Sequence, residues 1–250
     1  MRPITTTIAA LTAALTLVLP SAGISTALVP DGRGVDGLPT VEDILERYYE
    51  ALGGREALER ITTRVATGRV VDDRPYTGPV RITTFEAYGR EDGRWAYVEH
   101  LPEGEFAEGS DGAPSWKLED GVVTTTEEPS RSKMAFVLDP QGPLRIGEYF
   151  GKMRLTGIVG YEGRSVYAVE TDRDATYYTL YFDAESGLLT NIGYHWYLED
   201  YRAADGVLMP HRVVAGRKGG SVTHVFDEIV ANTPVSGGRF EPPGGEGCGR

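Results

Sequence analysis

The sequence predicts an α+β protein, mainly antiparallel β, with two short helices ahead of a long series of hairpins. Two observations carry this. From Thr62 onward, β-prone runs alternate with Gly-containing turns such as Glu91-Asp92-Gly93, Glu119-Asp120-Gly121 and Ala204-Asp205-Gly206, the signature of hairpins. After about residue 150 no helical period falls between strands, so the strands follow one another as an antiparallel meander, because parallel pairing needs long crossovers.

The elements can be justified in chain order. Residues 1–27 read as a secretory signal peptide: Arg2, an apolar run from Ile8 to Leu19, then small residues to Ala27. That run is too short for a permanent bilayer span, which needs roughly 20 residues. The expected location is therefore outside the cytoplasm, periplasmic or extracellular, and the protein is not expected to be integral to a membrane. Residues 28–39 form a Gly/Pro/Asp linker, and residues 40–243 are expected to be a single domain. Thr40 can cap a helix, Glu42 and Asp43 occupy its first turn, and Val41, Ile44, Leu45, Tyr48 and Tyr49 recur at helical spacing. Gly53-Gly54 ends it, and a second helix is expected over Arg55–Arg60.

Strands are expected from Val65 to Val71, Val80 to Tyr88, Trp95 to Leu101, Trp116 to Leu118 and Val122 to Thr126. The block 129–150 contains Pro129, Pro140 and Pro143 and reads as irregular, with one short helix near Leu144–Tyr149. Further strands are expected over Met153–Tyr161, Ser165–Thr171, Tyr177–Phe182, Leu188–Leu198, Glu199–Ala203, Val207–Val214 and Val222–Val230. Residues 244–250 are a Gly-rich tail that includes the only cysteine, Cys248, so no internal disulfide is available.

The period of two places Tyr178 and Phe182 on one face, Trp95 and Tyr97 on another, and Tyr194 and Trp196 on that of an unbroken strand. Such an aromatic wall suits a cavity, but on periodicity alone it suits an ordinary packed core better. The net charge of −12 argues against nucleic acid as a partner, since phosphates would be repelled.

The segment Ile44–Val70 (ILERYYEALGGREALERITTRVATGRV) resembles the N-terminus of LolA/LolB-like periplasmic proteins. Four later blocks, Gly157–Glu170, Leu180–Leu189, Asp200–Val213 and Asn232–Pro243, are similar to the same superfamily and occur in the expected order. The resemblance implies an unclosed half β-barrel whose N-terminal helices form a lid over an apolar hollow on the concave face. It implies a carrier of a hydrophobic ligand, a lipid or lipoprotein acyl chain, expected to be a monomer and to need no cofactor or metal. Leu45, Tyr48, Trp95, Tyr97, Tyr178, Phe182, Tyr194 and Trp196 are the candidate contacts. Tyr201-Arg202 and His211-Arg212 read as solvent-facing, although inward they would suit a ligand head group.

Two other functions remain open. One is an interaction or sensor module that binds an envelope protein through its acidic surface. The other is a divergent enzyme using the same hollow, with His195 and His224 converging on a carboxylate. No nucleophile elbow, phosphate-binding loop or paired-histidine metal motif occurs, so an enzyme is not expected.

Overall fold

The structure is a computed structural model and describes residues 37–112, 114–127, 132–173, 176–217 and 220–244. The expected signal peptide, most of the linker and the tail with Cys248 lie outside the described residues. Helix α1 (Val41–Leu52) begins on a capping box: the Thr40 hydroxyl accepts from the Asp43 N–H while the Asp43 carboxylate accepts from the Thr40 N–H. Gly53 closes it with φ 119°, a conformation glycine adopts without strain, and a Cβ there would meet the Gly206 carbonyl at 2.5 Å. Helix α2 (Arg55–Glu59) follows directly.

Six strands come next: β1 (Thr63–Asp72), β2 (Arg81–Arg90), β3 (Trp95–Leu101), β4 (Gly104–Ser110), β5 (Ser115–Glu119) and β6 (Val122–Thr126). Helices α3 (Lys133–Leu138) and α4 (Ile146–Phe150) separate them from a second series. That series is β7 (Lys152–Tyr161), β8 (Arg164–Arg173), β9 (Thr176–Asp183), β10 (Leu189–Ile192), β11 (Trp196–Ala204), β12 (Val207–Arg217) and β13 (Gly220–Ala231). All pair antiparallel in one 13-stranded sheet of order 6-5-4-3-2-1-13-12-11-10-9-8-7. Two meanders are thus joined where β1 pairs β13, and the sheet does not close into a barrel. Its free edges, β6 and β7, are consecutive in sequence, and the segment carrying α3 and α4 runs between them.

The main core lies between the helices and the concave face, where Ile44, Leu58, Phe136, Leu138, Phe182, Leu189 and Phe226 are buried together. A smaller core on the outer face packs Tyr88, Ala96, Ala107 and Trp116 beneath Phe240, whose carbonyl accepts the Trp116 indole N–H at 2.7 Å.

Three sequence expectations are corrected here. Strand β4 was not foreseen: GEFAEGS holds two glycines and two glutamates, and pairing with β3 along its length imposes the extended conformation. Leu188–Leu198 is two strands, because the chain turns at Gly193–His195 and brings Ile192 opposite Trp196. The block 129–150 contains not one short helix but two. Lys133–Leu138 has five consecutive buried side chains and therefore no polar face to reveal it as a surface helix.

Candidate functional site

The site is best built from the way α3 is seated. Met134, Ala135, Phe136, Val137 and Leu138 are all buried against the core. The C-terminal end of α3 rests on a cross-strand pair, Arg64 of β1 opposite Gly89 of β2. Arg64, only 7% exposed, donates from Nη1 to the Val137 carbonyl at 2.5 Å and from Nη2 to the Pro140 carbonyl at 3.5 Å. Gly89 supplies space: a Cβ there would stand 2.0 Å from the Leu138 carbonyl oxygen. Any side chain at that position would lift α3 off the sheet.

Just beyond α3, the Asp139 carboxylate accepts from Arg145 at 2.5 Å, from the Tyr149 hydroxyl at 2.8 Å and from the Gln141 N–H at 2.9 Å. These bonds tie the end of α3 to α4. At the other end, Ser132 caps the helix, and the Lys133 ammonium lies 4.7 Å from the Tyr178 ring and 5.4 Å from the Trp196 ring. Cation–π contacts of this kind hold a partly desolvated ammonium. Burial lowers the affinity of Lys133 for its proton. Burial also pulls the Arg64 guanidinium down to about 10, against the attraction of Asp139, so it stays charged at neutral pH.

Beneath α1, α2 and α3 lies a cavity of about 30 Å³ lined by Tyr48, Leu52, Arg64, Phe136, Tyr201 and Met209, among others. That is the space of about one water molecule, far below the roughly 300 Å³ at which ligand pockets begin. Among the described residues, the expected open hollow beneath the helices is therefore corrected to this small cavity. The concave face is too wide for its own strands to fill, but α3 and α4 supply the missing side chains. Two wider depressions, of about 480 and 750 Å³, are lined largely by charged and polar groups such as Glu162, Arg164 and Asp200 in one and Arg81, Glu99 and Glu103 in the other. The first is mainly polar, whereas the second sets its charged groups beside the apolar side chains of Leu101, Phe106 and Leu118.

The candidate contacts fall into separate groups. Tyr48 lines the small cavity and packs edge-on against Phe182, which is fully buried. Leu45 is half-buried against the same core. Tyr178 and Trp196 are half-buried and flank Lys133. Trp95 and Tyr97 are buried elsewhere on the concave face, Tyr97 stacking on Phe85. Tyr194 stands in the turn before β11 at 63% exposure, so its expected place on a strand face is corrected. Tyr201 and His211, read as solvent-facing, are turned inward: Tyr201 lines the cavity and donates to the Leu189 carbonyl at 2.6 Å, and His211 is buried. Arg202 and Arg212 pair at the surface with Asp200 and Glu199. Arg64, Gly89 and α3 carried no sequence signal, since a lone Arg or Gly in a strand is ordinary.

The convergence of His195 and His224 on a shared carboxylate does not assemble. His224 Nε2 lies 3.1 Å from the Tyr97 hydroxyl and its buried Nδ1 has no partner, so no carboxylate engages that imidazole. Among the described residues, no helix is long and apolar enough to cross a membrane.

No family model and no curated protein matches the sequence. Solved structures do. A DUF1329 family protein from Desulfovibrio piger is 14% identical with a TM-score of 0.57, covering 82% of this chain and 98% of that one. A LolA superfamily protein from Nitrosomonas europaea is 14% identical at TM-score 0.55, covering 82% and 99%. A Vibrio parahaemolyticus domain, named as a candidate outer membrane lipoprotein-sorting protein, is 13% identical at TM-score 0.53, covering 80% and 96%. Likeness at this identity is likeness of fold, and in fold the chain is LolA-like.

Proposed function

We propose that this is an exported carrier that binds and releases a long acyl chain by exchanging it for helix α3. The observation that carries the reading is the seating of α3: an apolar plug over the concave face, fastened at its end by one buried guanidinium. Burying the side chains of Met134, Phe136, Val137 and Leu138 stabilises the seated state by about 6–12 kcal/mol gross, at roughly 1.5–3 kcal/mol each. A 16-carbon chain in the same place contributes on the order of 10 kcal/mol gross, at about 0.8 per CH₂. The two occupants are thus closely matched, which is the condition for reversible loading. A permanently open apolar hollow would instead fill irreversibly or expose its walls to water. The signal-peptide pattern at the start of the chain and the names of the structurally similar proteins both support a role in the cell envelope.

The test is a neutral 16-carbon acyl probe carrying an environment-sensitive fluorophore, added to the purified chain and followed together with hydrogen exchange. Probe fluorescence should rise on binding while amides of residues 133–138 lose protection and those of 41–52 keep theirs. Absence of binding, or binding with α3 still protected, removes the reading.

A further inference from the structure

Exchange of α3 for an acyl chain accounts for the apolar floor but not for the cation set in it. Arg64 Nε is buried without a hydrogen-bond partner. Of the acceptors of the other two guanidinium nitrogens, the Val137 carbonyl belongs to α3 and the Pro140 carbonyl lies two residues past its end. Asp139, the carboxylate whose attraction acts most strongly on Arg64, follows α3 directly. Lifting α3 therefore removes the closer acceptor outright and displaces the end of the helix, beside which the other acceptor and the counter-charge stand. A charge buried without a partner is far more costly than the loss of an ordinary hydrogen bond. A ligand that is apolar throughout would inherit that penalty.

We infer that the ligand bears an anionic head, a carboxylate or a phosphate, and that Arg64 receives it at the cavity bounded by Tyr48 and Tyr201. This rests on the exchange reading above and names the class of ligand it admits. The three polar side chains border one cavity, and nearly everything else lining it is apolar. A guanidinium presents parallel N–H donors that match a carboxylate or phosphate edge, and Nε is among the donors such a fork uses. Tyr48 and Tyr201 line the same cavity, so two phenol side chains border the head beside the guanidinium. The arrangement discriminates by penalty as well as by attraction: a neutral head leaves the floor cation unpaired, and an anionic one replaces Asp139.

The experiment displaces the neutral fluorescent 16-carbon probe from the full chain with four competitors of equal chain length: hexadecanoate, hexadecyl phosphate, methyl hexadecanoate and hexadecan-1-ol. Each is measured on the wild-type chain, Arg64→Met and Arg64→Lys. The wild type should hold at least one anionic competitor about tenfold or more tighter than the ester and alcohol, a single strong charge-assisted contact. Whether carboxylate, phosphate or both win identifies the source of the head. Arg64→Met should bind all four within about threefold of each other, and Arg64→Lys should keep part of the preference. Four equal affinities in the wild type overturn this inference and leave the exchange reading standing. A preference that survives in Arg64→Met overturns the assignment to Arg64. Absence of binding by any chain removes both readings. Should Arg64→Met fail to fold, the wild-type series alone still decides.

Discussion

Helices α1 and α3 cover the same concave face but are held there by different means. In α1 the fold is written into the helix itself: a capping box, acidic residues in the first turn, a glycine C-cap, and apolar residues recurring at helical spacing. Its buried residues Ile44, Tyr48, Tyr49 and Leu52 form one stripe, and the opposite side is charged. Helix α3 has six residues, one side-chain cap and buried side chains all round, and it depends on Arg64, Gly89, Asp139 and Lys133 to stay in place. Short helices are marginal without tertiary support. On the exchange reading the difference assigns the parts of the roof: α1 is the wall, and α3 is the plug, held by contacts that can be broken locally.

That contrast can be broken by truncating one fully buried side chain in each. Ile44→Ala in α1 and Leu138→Ala in α3 each remove comparable apolar contact, a loss of about 2–5 kcal/mol. Ile44→Ala should lower global stability by that amount in denaturant melts. Leu138→Ala should lower it less, because the loss cannot exceed the free energy of opening α3, and amides 133–138 should exchange faster at once. Equal global losses would mean that both helices belong to one cooperative unit.

Acid offers a way to weaken the sheet beneath both helices. His224, 8% exposed between Tyr97 and Phe85, is held by burial at about 4 instead of 6.5. The unfolded chain therefore binds a proton that the folded chain refuses between those values. Stability is complete above about pH 6.5 and declines as pH falls toward 4, by on the order of 3 kcal/mol. Chemical melts from pH 7 to 4 should show this decline, and His224→Phe should flatten it. A flat wild-type curve over that window would contradict the burial argument.

The smallest effect is the sharpest. Gly89→Ala inserts a methyl where the Leu138 carbonyl sits, an overpacking cost of about 1–3 kcal/mol. It should fall on α3 alone: protection of amides 133–138 drops, the 16-carbon probe binds faster, and α1 is unchanged. Slower probe binding would show that α3 is not the gate.

The positions of α1, α2 and most strands were legible because each carries its own periodicity and turn chemistry, and the ordered blocks from Ile44 to Pro243 already pointed to a half-barrel. Strand β4 and the break at Gly193–His195 were not legible, since pairing with neighbouring strands decides them. Of the candidate contacts, Tyr48 was placed at the cavity by its helical spacing, whereas Tyr194 was misplaced by assuming an unbroken strand. Arg64 and Gly89 could not be selected, and Tyr201 was singled out only for the case that it faced inward, because burial of a polar side chain and close approach of a backbone are properties of three dimensions.

By itself, then, the sequence determined the class: local propensity and short-range turns suffice to specify an antiparallel meander preceded by an amphipathic helix. Only the tertiary structure decided whether the concave face is hollow or filled. That depends on where residues 133–150 come to rest, and a run of buried residues with no polar face can pack on any apolar surface that will receive it. What selects this surface is a guanidinium with two carbonyl partners and a glycine that leaves room for a third carbonyl.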